Sequence, residues 1–126
     1  MDIDAKKLRL LMQVGFLAGE YGFSGDAETI FEGVRAVRPE SESPLIGLAF
    51  AKMSSDQMEE SIRILEEEAL KLNPESDLAR GFLGMALKFS GRTEECSRLM
   101  KEVVDRNRDE AAVKMARTIL DEIGQG

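Results

Sequence analysis

A chain of 126 residues, 43% of them hydrophobic, can build one domain around a small core. Its 24 acidic residues outnumber 17 basic ones, a formal charge of −7; this argues against a nucleic-acid partner, since phosphate binding needs a basic face. Histidine is absent, as are the glycine motifs that cradle phosphates or dinucleotides, so nothing marks an enzyme, a cofactor site or a metal site.

The chain begins acidic, at Met1-Asp2-Ile3-Asp4, and lacks a long apolar leader. No secretory signal is therefore expected, and the longest apolar run, Pro44 to Ala51, is too short to span a bilayer. The expectation is a soluble cytoplasmic protein with no membrane insertion.

Seven helices are predicted in chain order. The first runs from about Asp4, a plausible cap, to Glu20, and Gly22 and Gly25 punctuate the turn after it. The second carries Ala27, Ile30, Phe31 and Val34 on one face and stops before Pro39. Ser43-Pro44 reads as a cap followed by proline at the first helical position of the third. The fourth, about Asp56 to Leu72, contains Ser61, Ile62, Leu65, Ala69 and Leu72 and ends at Asn73-Pro74. Ser76 or Asp77 can cap the fifth, Leu78 to Phe89; the sixth restarts near Thr93, where Thr93-Glu94-Glu95-Cys96 is a capping cue. The seventh, about Asp109 to Ile123, carries Ala112, Val113, Ala116, Ile119, Leu120 and Ile123, and Gly124-Gln125-Gly126 should fray.

A spacing of 34 and then 35 residues runs through this order. It links Gly15, Ala49 and Gly84; Gly22, Asp56 and Gly91; Ala27, Ser61 and Cys96; and Phe31, Leu65 and Met100. Pro39 and Pro74 close the first two units, and Arg108 stands where a third proline is due. Phe31 and Val34 are three apart, whereas Leu65 and Ala69 are four apart, so one residue has been added within Glu66-Glu67-Glu68. A helix absorbs such an insertion as a π-bulge or an altered turn. Cys96, the only cysteine, falls in a small-residue slot between helices and reads as a core residue. Much of the acidic surplus, Glu59, Glu60, Glu66, Glu67 and Glu68, lies in the middle unit and reads as a solvated face. The adjacent pairs Glu59-Glu60 and Glu94-Glu95 do not share a helix face and make no catalytic dyad.

The period, the small residues in both helices and the closing prolines resemble the tetratricopeptide repeat family over about residues 8–108. The resemblance implies an all-α, right-handed solenoid forming a single domain over residues 1–126. Its repeats fall at about 8–41, 42–76 and 77–108, followed by a capping helix at about 109–123 with a polar outer face.

By the same resemblance, the first helix of each repeat lines a concave groove. The side chains placed there are Arg9, Met12, Phe16 and Gly19; Ser43, Ile46, Phe50 and Met53; and Leu78, Gly81, Met85 and Lys88, with Phe82 and Phe89 at the margin. Repeats that grip a free carboxylate carry Lys, Asn and Arg at such positions; here they are mostly Met and Phe. A groove of this kind suits the apolar stripe of a helix or an extended hydrophobic segment. Self-packing is the alternative. Leu11, Val14, Leu45, Leu48 and Leu83 are expected to fill the slots between helices, and the capping helix could fold over part of the stripe.

Within the repeat family, the stretch from Ala27 to Val34, through Arg38-Pro39-Glu40-Ser41, to Pro44–Ala49 resembles the small chaperones of bacterial type III secretion, in particular the needle-subunit chaperones. That resemblance implies a non-enzymatic cytoplasmic protein without cofactor. It would hold an aggregation-prone needle-type subunit by its amphipathic helix, together with a small helical co-chaperone. A translocator chaperone of the same system and a general protein–protein adaptor are the other readings.

Overall fold

The structure, a computed structural model, describes residues 3–124; Gln125 and Gly126, part of the tail expected to fray, lie outside it. Seven helices make up the described residues. They are α1 (Ala5–Glu20), α2 (Ser24–Val37), α3 (Ser43–Ser54), α4, α5 (Asp77–Phe89), α6 (Thr93–Arg106) and α7 (Glu110–Glu122). Helix α4 begins at Met58–Arg63 and runs on through a π-helical segment, Ile64–Ala69, into Leu70–Leu72. The π segment falls on the extra residue of the second repeat. It takes up the insertion locally, so Leu65 and Ala69 both remain buried.

Local chemistry sets the ends of these helices. Asp4, Ser76 and Asp109 each accept a hydrogen bond from the backbone N–H three residues on, at 3.0, 3.1 and 3.0 Å. Of the two candidates before α5, Ser76 is the cap. Asp77 is instead buried and ion-paired with Arg80 at 3.2 Å and Arg106 at 3.0 Å. Two expected caps are corrected. Ser43 and Thr93 are the first residues of their helices, and no side chain caps α3 or α6. Pro44, at the start of α3, supplies the preset φ instead.

The turn inside each pair repeats as faithfully as the helices. Gly22, Asp56 and Gly91 all have positive φ, at 86, 63 and 79°. The N–H of the following residue closes back five residues in each case, Phe23 to Ala18, Gln57 to Lys52 and Arg92 to Leu87. This is the Schellman ending, which calls for a left-handed residue, and the middle repeat meets it with aspartate where the others use glycine.

The pairs α1/α2, α3/α4 and α5/α6 stack in sequence, and α7 closes the end against α5 and α6. Two of the periodic residue sets are the core itself. Phe31, Leu65 and Met100 are wholly buried, as are Ala27, Ser61 and Cys96. Phe31 is the wedge of the first half. A methyl added at Gly15 would stand 2.7 Å from its ring, and one at Gly47 closer still, so α1 and α3 both approach α2 only because those residues are glycine. Met100 fills the same role against Gly84 in the third pair.

Cys96 sits where the sequence places it, in the core, with its Sγ 3.2 Å from the Gly84 carbonyl oxygen. Burial pushes its thiol pKa up. The folded protein is expected to react with a thiol reagent at neutral pH at least about 100-fold more slowly than the denatured chain, as for a group reached only through opening. Equal labelling rates in the two states would place Cys96 at the surface.

Candidate functional site: the face of the first helices

Helices α1, α3 and α5, the first of each pair, contribute one phenylalanine apiece to a shared cluster. The Phe16 ring lies 5.4 Å from Phe50 and 5.8 Å from Phe82, and Phe50 meets Phe82 edge-on at 6.1 Å. Phe16 also stands edge-on to the buried Phe31 at 5.1 Å. The three rings are half-buried, each with one side on the core and part of its area open. Since Phe16 reaches Phe82 directly, the first and third repeats touch across the second. Gly19 lets α1 close in: a methyl there would stand 3.0 Å from the Phe50 ring.

The apolar surface continues toward the C-terminal end. Between α5 and α7 lies an open cavity of about 460 Å³ lined by Met85, Phe89, Ala111, Met115 and Ile119, with Lys88 and Lys114 at its rim. Phe89 is 56% exposed and is the most open aromatic ring of this region. Lys88 stands over the Phe89 ring at 4.9 Å and pairs with Glu122 at 2.8 Å, tying α5 to α7. The capping helix does fold onto part of the face. A methyl on Gly81 would meet the Met115 sulfur at 2.7 Å, so the surface expected at Gly81 is covered.

Nine apolar side chains are expected among the groove positions and their margin. Phe16, Phe50 and Phe82 are brought together in one cluster, and Met85 and Phe89 line the cavity beside it. Met12 and Leu78 are half-buried against the core. Ile46 and Met53 are corrected: both are buried in the core, at 2% and 7% exposure. The reason is the position of α3, which packs against α1, α2, α4 and α5 and leaves only Phe50 half open on its apolar length. A helix apolar on every side is buried on every side. Leu11 and Val14 are corrected in the opposite sense. They are exposed, and Leu8, Gly15 and Gly19 hold the inner face of α1 instead.

The opposite side of the molecule is polar. Where α2, α3 and α4 meet, a smaller cavity of about 200 Å³ is lined by charges that are already paired. Lys52 meets Glu28 at 2.7 Å, Arg63 meets Glu60 at 2.6 Å and Glu68 at 3.0 Å, and Arg35 meets Glu68 at 3.3 Å. Glu68 lies in the π segment and bridges the first two repeats through Arg35. The hydrogen bond from Arg63 holds the Glu60 carboxyl below the ordinary carboxylate range. Arg108, at the place of the missing proline, pairs with Glu75 and lowers that carboxyl in the same way. These exposed pairs hold surfaces together weakly and offer no site for an apolar partner.

Among the described residues no cluster of three or more His, Cys, Asp or Glu could hold a metal ion, and no helix is long and apolar enough to cross a membrane.

No protein-family model matches the sequence, and no curated protein matches it. Solved structures do match in shape. The chain is similar to the type III secretion chaperone SycD of Yersinia enterocolitica in complex with a peptide of the translocator YopD, with a TM-score of 0.70 and 13% identity over 98% of this chain and 97% of that one. A second SycD structure, an alternative dimer, matches with a TM-score of 0.72 and 17% identity over 98% and 96%. The first TPR of Spaghetti, bound to an HSP90 peptide, matches with a TM-score of 0.67 and 17% identity over 97% of each chain. At these identities the likeness establishes the fold, stacked tetratricopeptide-like helix pairs.

Proposed function

We propose that this chain is a cytoplasmic chaperone of a type III secretion system that seats an apolar segment of a secreted subunit on the α1–α3–α5 face. The observation that carries the reading is the open apolar surface formed by Phe16, Phe50 and Phe82 and continued by Met85, Phe89 and Met115. Such a surface matches the alternate apolar side chains of a helix or an extended strand and offers few charges to any other ligand. The likeness to SycD over nearly the whole of both chains supports the chaperone class, and SycD is seen there with a peptide of a translocator. A translocator-type client is therefore the first reading.

A needle-type subunit held by its amphipathic helix is the second. It is favoured by the stretch from Ala27 to Ala49, which resembles the needle-subunit chaperones. A small helical co-chaperone belongs to that second reading.

Co-purification from the native cell followed by mass spectrometry is the test. Recovery of a secreted type III subunit, lost when Phe50 and Phe89 are both replaced by alanine, supports the proposal. A pore-forming translocator among the recovered proteins selects the first reading; a needle subunit with a small helical companion selects the second. Recovery only of proteins with no export role would refute both and leave a general adaptor.

A further inference from the structure

The apolar cavity between α5 and α7 is edged by charge of one sign. Its lining carries three charged side chains, Lys88 on α5 and Lys114 and Glu122 on α7. Glu122 is already engaged: Lys88 lies 2.8 Å from it while standing over the Phe89 ring. Lys114 is exposed, and its ammonium has no hydrogen-bond or ion-pair partner among the described residues. The uncompensated charge at this rim is therefore a cation, in a chain whose net charge is −7.

The place of that cation is fixed as well as its sign. Ala111, Lys114, Met115, Thr118, Ile119 and Glu122 follow the three-and-four spacing of one helix face. Lys114 and Glu122 stand eight residues apart on it, about 12 Å at about 1.5 Å per residue. Met115 and Ile119 lie between them, with Met85 and Phe89 contributed by α5. An apolar side chain entering the cavity thus has an unpaired ammonium on one flank and a neutralised pair on the other.

The donors at hand fit one partly hydrated carboxylate. The Thr118 hydroxyl donates to the Lys114 carbonyl oxygen at 3.1 Å, and Lys88 is held by Glu122, so no second free donor converges with the Lys114 ammonium. A phosphate group or a chain terminus calls for several convergent donors and finds one. A basic side chain finds no carboxylate left to pair with.

We infer that the segment seated on this face carries an aspartate or glutamate one helical turn from the apolar residue that enters the α5–α7 cavity, and that Lys114 selects it. The inference rests on the reading of the α1–α3–α5 face as the client site and adds the charge of the client to it. A rim charge of this kind acts on the choice of partner more than on affinity, because the ammonium is hydrated in the free protein.

Fluorescence anisotropy titrations of the full chain near physiological salt test this. The probes are synthetic helical peptides that share one stripe of leucine and phenylalanine. They differ only in carrying glutamate, glutamine or lysine one turn from the central residue of that stripe. The glutamate peptide is expected to bind roughly 3- to 10-fold more tightly than the lysine peptide. The net charge of the whole chain would favour the opposite order. Lys114→Glu should reverse the preference, and Arg117→Glu, the same change at an exposed residue of α7 outside the cavity lining, should keep it. A lysine peptide that binds best to the unaltered chain would overturn the inference, as would a preference untouched by Lys114→Glu, or none at all. Phe50→Ala with Phe89→Ala separates that failure from failure of the underlying reading. If this variant loses every peptide while the unaltered chain shows no charge preference, only the role of Lys114 falls. If it binds all of them as the unaltered chain does, or if the unaltered chain binds none, the apolar face is not the site and both fall.

Discussion

Phe31→Ala is expected to destabilise the protein by about 3–5 kcal/mol, the usual range for emptying a buried aromatic site. Domains are commonly stable by only about 5–15 kcal/mol, so much of the margin is lost. The site cannot collapse to fill the void. Phe31 is held between the backbones of α1 and α3 at Gly15 and Gly47, and it carries the edge-on contact to Phe16. Its loss leaves a cavity bounded by three helices and removes a support of the Phe16–Phe50–Phe82 cluster. Urea denaturation, compared with Leu72→Ala at an exposed position, measures the effect. A loss below about 1 kcal/mol, typical of a surface change, would mean that the first two repeats are not joined through this ring.

Phe50→Ala is expected to weaken client binding about 30- to 1000-fold, the equivalent of losing an anchor worth about 2–4 kcal/mol. Phe50, on the first helix of the middle repeat, packs against both Phe16 and Phe82 and is half open in the free protein. Its removal also forfeits two ring contacts, each worth about 0.5–1.5 kcal/mol, so some stability goes with it. The loss should nevertheless stay below that of Leu83→Ala, a buried change expected to cost about 2–5 kcal/mol. Thermal melts and client titrations of the two variants, run side by side, separate the roles. If Phe50→Ala is as unstable as Leu83→Ala and binds its client normally once folded, Phe50 is core and not an anchor.

The repeat was legible because the packing that creates it is local and recurrent. Small residues at Gly15 and Gly84 face large ones at Phe31 and Met100, and the left-handed turn at Gly22, Asp56 and Gly91 recurs with them. The inserted residue could be seen as a change of apolar spacing from three to four, and a π segment holds it. The candidate face was legible only in part. Assigning groove positions by repeat geometry treats every first helix alike, yet α3 is enclosed by four neighbours while α1 has a free flank. That difference moves Ile46 and Met53 inward and Leu11 and Val14 outward. The continuous apolar run from Pro44 to Ala51 already carried the signal for a helix buried all round.

The seven methionines provide the most direct measurement of the central claim, that the α1–α3–α5 face holds the client. Met12 lies on α1, Met85 and Met115 line the cavity at the α5–α7 end, Met100 is wholly buried, and Met58 stands at the start of α4. With the methyl groups isotopically labelled, a spectrum recorded during titration with the co-purified client reads out which of them meet it. The account predicts that Met12, Met85 and Met115 shift together and saturably while Met58 and Met100 stay in place. Saturable binding that moves Met58 and leaves Met85 and Met115 unchanged would contradict it.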